Sequence, residues 1–152
     1  SARTVQRGGY VKDCIFCQIV GGEVPAAVVL DDASAVAFLD RRPLLVGHTL
    51  LIPRAHVPTL MDLPPELVEP LFQRARLLAQ AVQQALGADG IFVGINNQVS
   101  QSVPHLHIHI VPRHRGDGLK GFFWPRRQYE SEAAMADVAT HIRQALANLQ
   151  EP

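Results

Sequence analysis

Residues 105–111 read His-Leu-His-Ile-His-Ile-Val, a histidine at every second position of an otherwise aliphatic run. Side chains of a β-strand alternate between its two faces with a period of two. The run therefore predicts a strand with His105, His107 and His109 on one face, neighbours about 6.6–7 Å apart, and Leu106, Ile108 and Ile110 turned into a core. Histidine titrates near neutral pH and serves as nucleophile, proton carrier or metal ligand. A single histidine is more often a satisfied polar residue. Three in strict alternation, preceded by Gln101-Ser102-Val103-Pro104 and followed by Pro112-Arg113, point to chemistry.

The rest of the chain supplies a sheet for that strand to join. Residues 14–20 read as a short helix stopped by Gly21-Gly22. Residues 26–30 and 35–39 are β-rich runs split by Asp31-Asp32-Ala33-Ser34, which is turn chemistry. Residues 47–52 form a third run ended by Pro53, and 91–95 a fourth that pairs with the histidine strand. Between them Leu67, Leu71, Ala75, Leu78, Val82 and Leu86 recur at helical spacing, opened by Pro64-Pro65 and closed by Gly87. A second amphipathic helix follows over about residues 131–149. Strands with few intervening helices predict an α+β fold: an antiparallel five-stranded sheet with one long and one C-terminal helix.

Composition narrows the function classes. A chain of 152 residues, 47% of them apolar, is expected to form a single domain over residues 13–152 after a flexible segment over 1–12. Fourteen basic and fourteen acidic residues cancel, so no general field recruits nucleic acid or an anionic membrane, and a phosphate-bearing ligand must be held locally. Cys14 and Cys17 are too close to staple distant elements, and there is no signal-peptide pattern or long apolar span. A cytoplasmic location is expected.

A nucleophilic imidazole needs one neutral nitrogen aimed at phosphorus while the other nitrogen's proton is held by an acceptor. The central His107 suits that role. Gln101 and Ser102 offer donors to phosphate oxygens, and His109 and His48 are the imidazoles expected at the same pocket. Cys14-x-x-Cys17 has the spacing of half a tetrahedral zinc site, with a buried, inert thiol pair as the other reading.

The stretch from Gln101 through Arg113 resembles the signature of the histidine triad (HIT) family of nucleotide-binding hydrolases and transferases. Cys14-Ile15-Phe16-Cys17, Ala37-Phe38-Leu39-Asp40, the block from Gly47 through His56, and Asn96-Asn97 resemble that family's other blocks in the same order. The resemblance covers residues 13–113, and Gly121-Phe122-Phe123-Trp124-Pro125-Arg126 is similar to the tails of some bacterial members. It implies a homodimer with joined sheets and a covalent nucleotidyl intermediate on His107. It also implies that His109 and Gln101 contact the reacting phosphate or leaving group, that Ser102 contacts phosphate, and that Asn96 contacts the phosphate or ribose side. Asp40 would bind ribose hydroxyls, and Phe16, Ile19 and Phe38 would line a base pocket. Without the resemblance those three are ordinary core residues, and Asp40 an ordinary loop opener. Zinc-carrying members resemble the chain at Cys14, Cys17, His56 and His105, which would make His105 a structural ligand rather than a catalytic group. Arg41 departs from the aliphatic residue common at that position.

Two function classes follow. One is an enzyme acting on the α-phosphate of a purine nucleotide carrying a leaving group (a phosphoramidate, a dinucleoside polyphosphate or a nucleotidylated adduct), with an AMP- or GMP-like product; a phosphorylase or transferase variant uses another acceptor. The other is a zinc-stabilised nucleotide- or partner-binding module with little turnover.

Overall fold

The β-rich runs pair into one antiparallel sheet of β1 (Val28–Asp31), β2 (Ala35–Leu39), β3 (Thr49–Pro53), β4 (Gly90–Gly94) and β5 (Ile108–Arg113), in the order β1-β2-β3-β5-β4. The structure, a computed structural model, describes residues 9–119 and 126–150. Residues 1–8 and the 121–125 stretch with Trp124 lie outside the described residues. The helices are α1 (Ile15–Val20), α2 (Pro65–Leu86) and α3 (Glu132–Gln150), and the α+β class is the one expected.

Local chemistry explains the boundaries. Asp32 accepts the backbone N–H groups of Ser34 and Ala35 at 2.9 and 3.1 Å, which closes the β1–β2 turn. Pro65 opens α2, and Gly87 ends it in the left-handed region at φ 58°, its N–H returned to the last turn. The third strand starts at Thr49 rather than Gly47 because Gly47 sits at φ +99°, where a Cβ would lie 2.9 Å from Leu86.

The sheet is covered on both faces at its centre, which is why β2 and β3 read as continuous apolar runs. Ala35, Ala37, Leu51, Ile108 and Ile110 share one core cluster with Leu71, Ala75, Leu78 and Val82 of α2. Val36, Phe38, Leu50 and Ile52 alternate to the other face and cluster with Cys14, Phe16 and Cys17. Phe16 of this second cluster meets His105 and His107 edge-on.

The fifth strand corrects the expectation from the histidine run. It begins at Ile108, so His105 and His107 precede the ladder and only His109 lies within it, opposite Leu50. Pro104 brings no N–H, and the Leu106 N–H bonds to the Val57 carbonyl at 2.7 Å instead of to β3 or β4. His105 is thereby released from a shared strand face.

Residues up to Asp117 form one compact unit and those from Gly118 a second. In the second unit Ser131 Oγ accepts the Ala134 N–H at 3.0 Å at the start of α3, which displays Met135, Val138, Ile142 and Leu146 at helical spacing and buries none of them. No described helix is long and apolar enough to cross a membrane.

Candidate active site and metal cluster

Backbone carbonyls and amides fix the ring protons of the site. His107, 3% exposed, donates from Nδ1 to the His105 carbonyl oxygen at 2.8 Å. A carbonyl only accepts, so the proton is on Nδ1 and the Nε2 lone pair is free. The Leu44 N–H donates to His48 Nδ1 at 3.1 Å, which leaves the His48 proton on Nε2, from where it bonds His109 Nδ1 at 2.9 Å. His109 therefore carries its own proton on Nε2 and presents a donor. Burial pushes His109 down to about 4, with the neighbouring His107 and His48 adding to the shift, and burial lowers His48 as well. Both rings are neutral at pH 7. Asp40 lies 3.8 Å from His48 Nδ1, too far for a hydrogen bond, and with a neutral His48 the pair is a proximity rather than an ion pair.

Four buried ligand atoms meet beside this face. Cys14 Sγ lies 3.4 Å and Cys17 Sγ 3.7 Å from His105 Nδ1, and Cys17 Sγ lies 3.3 Å from His56 Nδ1. All four ligand atoms lie within 4.8 Å of one another. Tetrahedral zinc, with bonds of about 2.0–2.3 Å, spaces its ligands roughly 3.3–3.8 Å apart. His105 Nε2 donates to the Pro53 carbonyl at 2.9 Å, so the bare Nδ1 faces the thiols, which is the second-sphere arrangement a ligand histidine needs. Burial pushes the Cys17 thiol up to about 11, and pushes His105 down to about 4. Two soft sulfurs and two imidazole nitrogens fit zinc by donor type, burial and spacing.

A cavity of about 350 Å³ opens on the same face. Phe16, Ile19, Phe38 and Asp40, named from sequence, all line it, together with Leu50, Arg41 and Arg42. Phe16 meets His107 edge-on with ring centroids 5.1 Å apart, so the cavity adjoins the candidate nucleophile. The loop before β5 is less direct. Gln101 donates from Nε2 to the Pro58 carbonyl at 2.6 Å and accepts the Gln98 N–H at 2.7 Å, so a role at phosphate requires its amide to share or exchange these bonds. These bonds hold a turn in which Gln98 and Ser100 sit in the left-handed region at φ 73° and 62°. Asn96 and Ser102 are exposed, and the asparagine that anchors the loop is Asn97, whose Oδ1 accepts the Leu60 N–H at 2.7 Å.

Residues 21–116 match the HIT domain family. The chain belongs to the HIT family. Among curated HIT relatives, adenylylsulfatase HINT3 of Arabidopsis thaliana is 38% identical over 109 residues, 70% of this chain and 55% of that protein. The asymmetrical bis(5'-nucleosyl)-tetraphosphatase of Schizosaccharomyces pombe is 39% identical over 85 residues, 55% of this chain and 47% of that protein. The chain thus spans about half the length of each of these two enzymes. A crystal structure from Streptococcus mutans superimposes with a TM-score of 0.84 at 35% identity, covering 93% of this chain and 90% of that one. A zinc-bound histidine triad protein of Mycobacterium smegmatis gives 0.67 at 37% identity, covering 85% and 97%.

Within this HIT chain the fold gathers His48, His107 and His109 into one imidazole group, and Cys14, Cys17, His56 and His105 into another. Sequence reasoning missed Leu50 and Arg42 at the cavity and the Leu44 N–H beneath His48. Leu50 was within reach of the period-two rule, two places from His48 in the run read from sequence as the third strand. A backbone N–H carries no residue signal at all.

Proposed function

We propose that the chain is a nucleotide hydrolase or nucleotidyl transferase acting at the α-phosphorus of a purine nucleotide through a nucleotidyl-His107 intermediate, and that it works as a homodimer. The observation that carries this reading is the Nδ1–H of His107 tied to the His105 carbonyl, which leaves Nε2 as a lone-pair donor beside an apolar cavity. Relatives named as an adenylylsulfatase and a dinucleoside tetraphosphatase support the reaction class.

In the first step the Nε2 lone pair forms a bond to phosphorus, and the bond to the leaving group breaks with its electron pair. The His105 carbonyl stabilises the positive charge that develops on the ring. His109 donates its Nε2–H to a phosphate oxygen, held in that tautomer by His48. Sulfate or a polyphosphate departs as a stable anion, whereas an amine takes up a proton from solvent, which the proton released in the second step replaces. Water then attacks phosphorus, the P–Nε2 bond breaks, the lone pair returns to His107, and one water proton is released. Asp40 holds ribose hydroxyls, and Phe16, Ile19 and Phe38 enclose the base. Cys14, Cys17, His56 and His105 would hold zinc, which would supply a structural tie between α1 and the segment that carries the nucleophile.

Mass spectrometry after rapid mixing with an adenosine phosphoramidate tests the reading. An acid-labile adenylyl adduct that disappears in His107→Ala is expected. Tight nucleotide binding with neither adduct nor product across several leaving groups overturns it in favour of a binding module.

A further inference from the structure

The loop between β4 and β5 is tied at three points to one short stretch of backbone. The Leu60 N–H donates to Asn97 Oδ1 at 2.7 Å, Gln101 Nε2 donates to the Pro58 carbonyl at 2.6 Å, and the Leu106 N–H donates to the Val57 carbonyl at 2.7 Å. That stretch is itself stiff. Asp62 Oδ2 accepts from the Thr59 N–H and hydroxyl at 3.1 and 2.7 Å, closing a single short helical turn over Leu60–Asp62, and Val57 and Thr59 are buried. Adjacent carbonyls, those of Val57 and Pro58, therefore hold the residue before His107 and the side chain of Gln101.

Gln101 has two tasks that compete. Its Oε1 accepts the Gln98 N–H at 2.7 Å, and Gln98 and Ser100 lie in the left-handed region at φ 73° and 62°, which residues with a Cβ rarely adopt. Such a turn persists only where its surroundings over-determine it. One end of the Gln101 amide faces a carbonyl, which only accepts, and the other an N–H, which only donates, so the orientation of the amide is set. Its second Nε2 hydrogen has no partner among the described residues and is the one left to reach a phosphate or leaving-group oxygen. A side chain that holds a strained turn and also serves a substrate needs the turn held from elsewhere. Asn97 does this one residue before Gln98, with its Oδ1 committed to Leu60.

We propose that Asn97 is a positioning residue for the transfer reaction. Its bond to the Leu60 N–H fixes the Gln98 N–H, and through it aims the unspent N–H of Gln101 at the oxygen on which charge develops. The proposal rests on the reading above of nucleotidyl transfer at His107, and Asn97 itself touches none of the reacting atoms.

The test is steady-state kinetics of the full, zinc-supplemented chain on the adenosine phosphoramidate, with Asn97→Ala, Asn97→Asp, Gln101→Ala and the double alanine variant. Asn97→Ala is expected to cut kcat about tenfold, less than the roughly 10²–10³ lost with a whole oxyanion donor, while KM moves by less than about threefold. Asn97→Asp keeps the acceptor oxygen and is expected to restore kcat to within about threefold of the unaltered chain. In the Gln101→Ala background the alanine change at Asn97 costs less than about twofold, because the group it aims is gone. NMR relaxation of the Gln101 side-chain nitrogen, without substrate, reads the same tie directly. Its order parameter is expected near the rigid value of about 0.85 in the unaltered chain and below about 0.6 in Asn97→Ala. Unchanged kcat in Asn97→Ala, an equal loss with and without Gln101, or an amide equally ordered in both chains overturns the positioning role and leaves the catalytic reading standing. Absence of any adduct on His107 in the unaltered chain overturns both together. Should Asn97→Ala fail to fold, Asn97→Ser, whose hydroxyl falls short of Leu60, takes its place in every measurement.

Discussion

Phe16 is the residue through which the cavity, the metal cluster and the candidate nucleophile touch. It is 6% exposed and meets His107, Phe38 and His105 edge-on, with centroid distances of 5.1, 5.4 and 5.8 Å. Phe16→Leu keeps most of the buried apolar area and removes the ring edges. Edge-to-face pairs contribute about 0.5–1.5 kcal/mol each beyond area, and taking the lower half of that range for the two imidazoles gives a loss of about 2 kcal/mol. Phe16→Ala adds a cavity and is expected to cost roughly 3–5 kcal/mol. Urea denaturation measures both, and for Phe16→Leu the melting temperature falls by about 4–8 °C for a chain of this size. A double-mutant cycle with Phe38→Leu isolates one contact and is expected to return a coupling of about 0.5–1.5 kcal/mol. If Phe16→Leu stays within about 0.5 kcal/mol of the unaltered chain, the normal range for an inconsequential change, the rings touch without consequence and the reasoning fails.

Three further outcomes follow from the same geometry. A chelator is expected to lower the melting temperature before it abolishes adduct formation, with one bound zinc per chain lost in Cys17→Ser; full occupancy in that variant would falsify the ligand set. In the metal-free chain His105 and His109 titrate near 4 when folded and about 6.5 when unfolded, so the unfolded state binds more protons between those values. Stability then falls as pH drops from about 6.5 toward 4, by at most about 1.4 kcal/mol per pH unit for each ring, and urea midpoints that stay flat across that window refute the assignment. His48→Ala frees the His109 tautomer and is expected to cut kcat by roughly 10- to 100-fold, less than a full general acid–base contribution, while KM moves by less than about threefold. Unchanged kcat means that His109 does not need the bond.

Much of the sheet was legible because short apolar runs bounded by turn residues are written in residue types. Ala35 through Leu39 and the run ending at Pro53 announced strands, and Leu71, Ala75, Leu78 and Val82 announced the buried stripe of α2. The starts of strands were harder to read. Gly47 looked like strand but is set by a close approach of Leu86, and His105 looked like strand but follows a proline and spends its neighbour's N–H on Val57. Gln101 reads as a phosphate donor in sequence, whereas its amide is engaged by Pro58 and Gln98.

By itself the sequence placed His109 on a strand, gave Cys14 and Cys17 the spacing of half a zinc site, and carried the HIT signature. These are local facts, set by strand period and residue spacing. Only the tertiary structure decided which ring nitrogens carry protons, since the deciding partners are the carbonyls of His105 and Pro53 and the N–H of Leu44, groups common to every residue type. The family resemblance had implied that His105 joins the cysteines and His56, and the fold brings the four ligand atoms within 4.8 Å of one another. That assignment needs His56 and His105, 39 and 88 positions from Cys17, brought to 3.3 and 3.7 Å by the packing of α1 on the sheet, a distance no periodicity encodes.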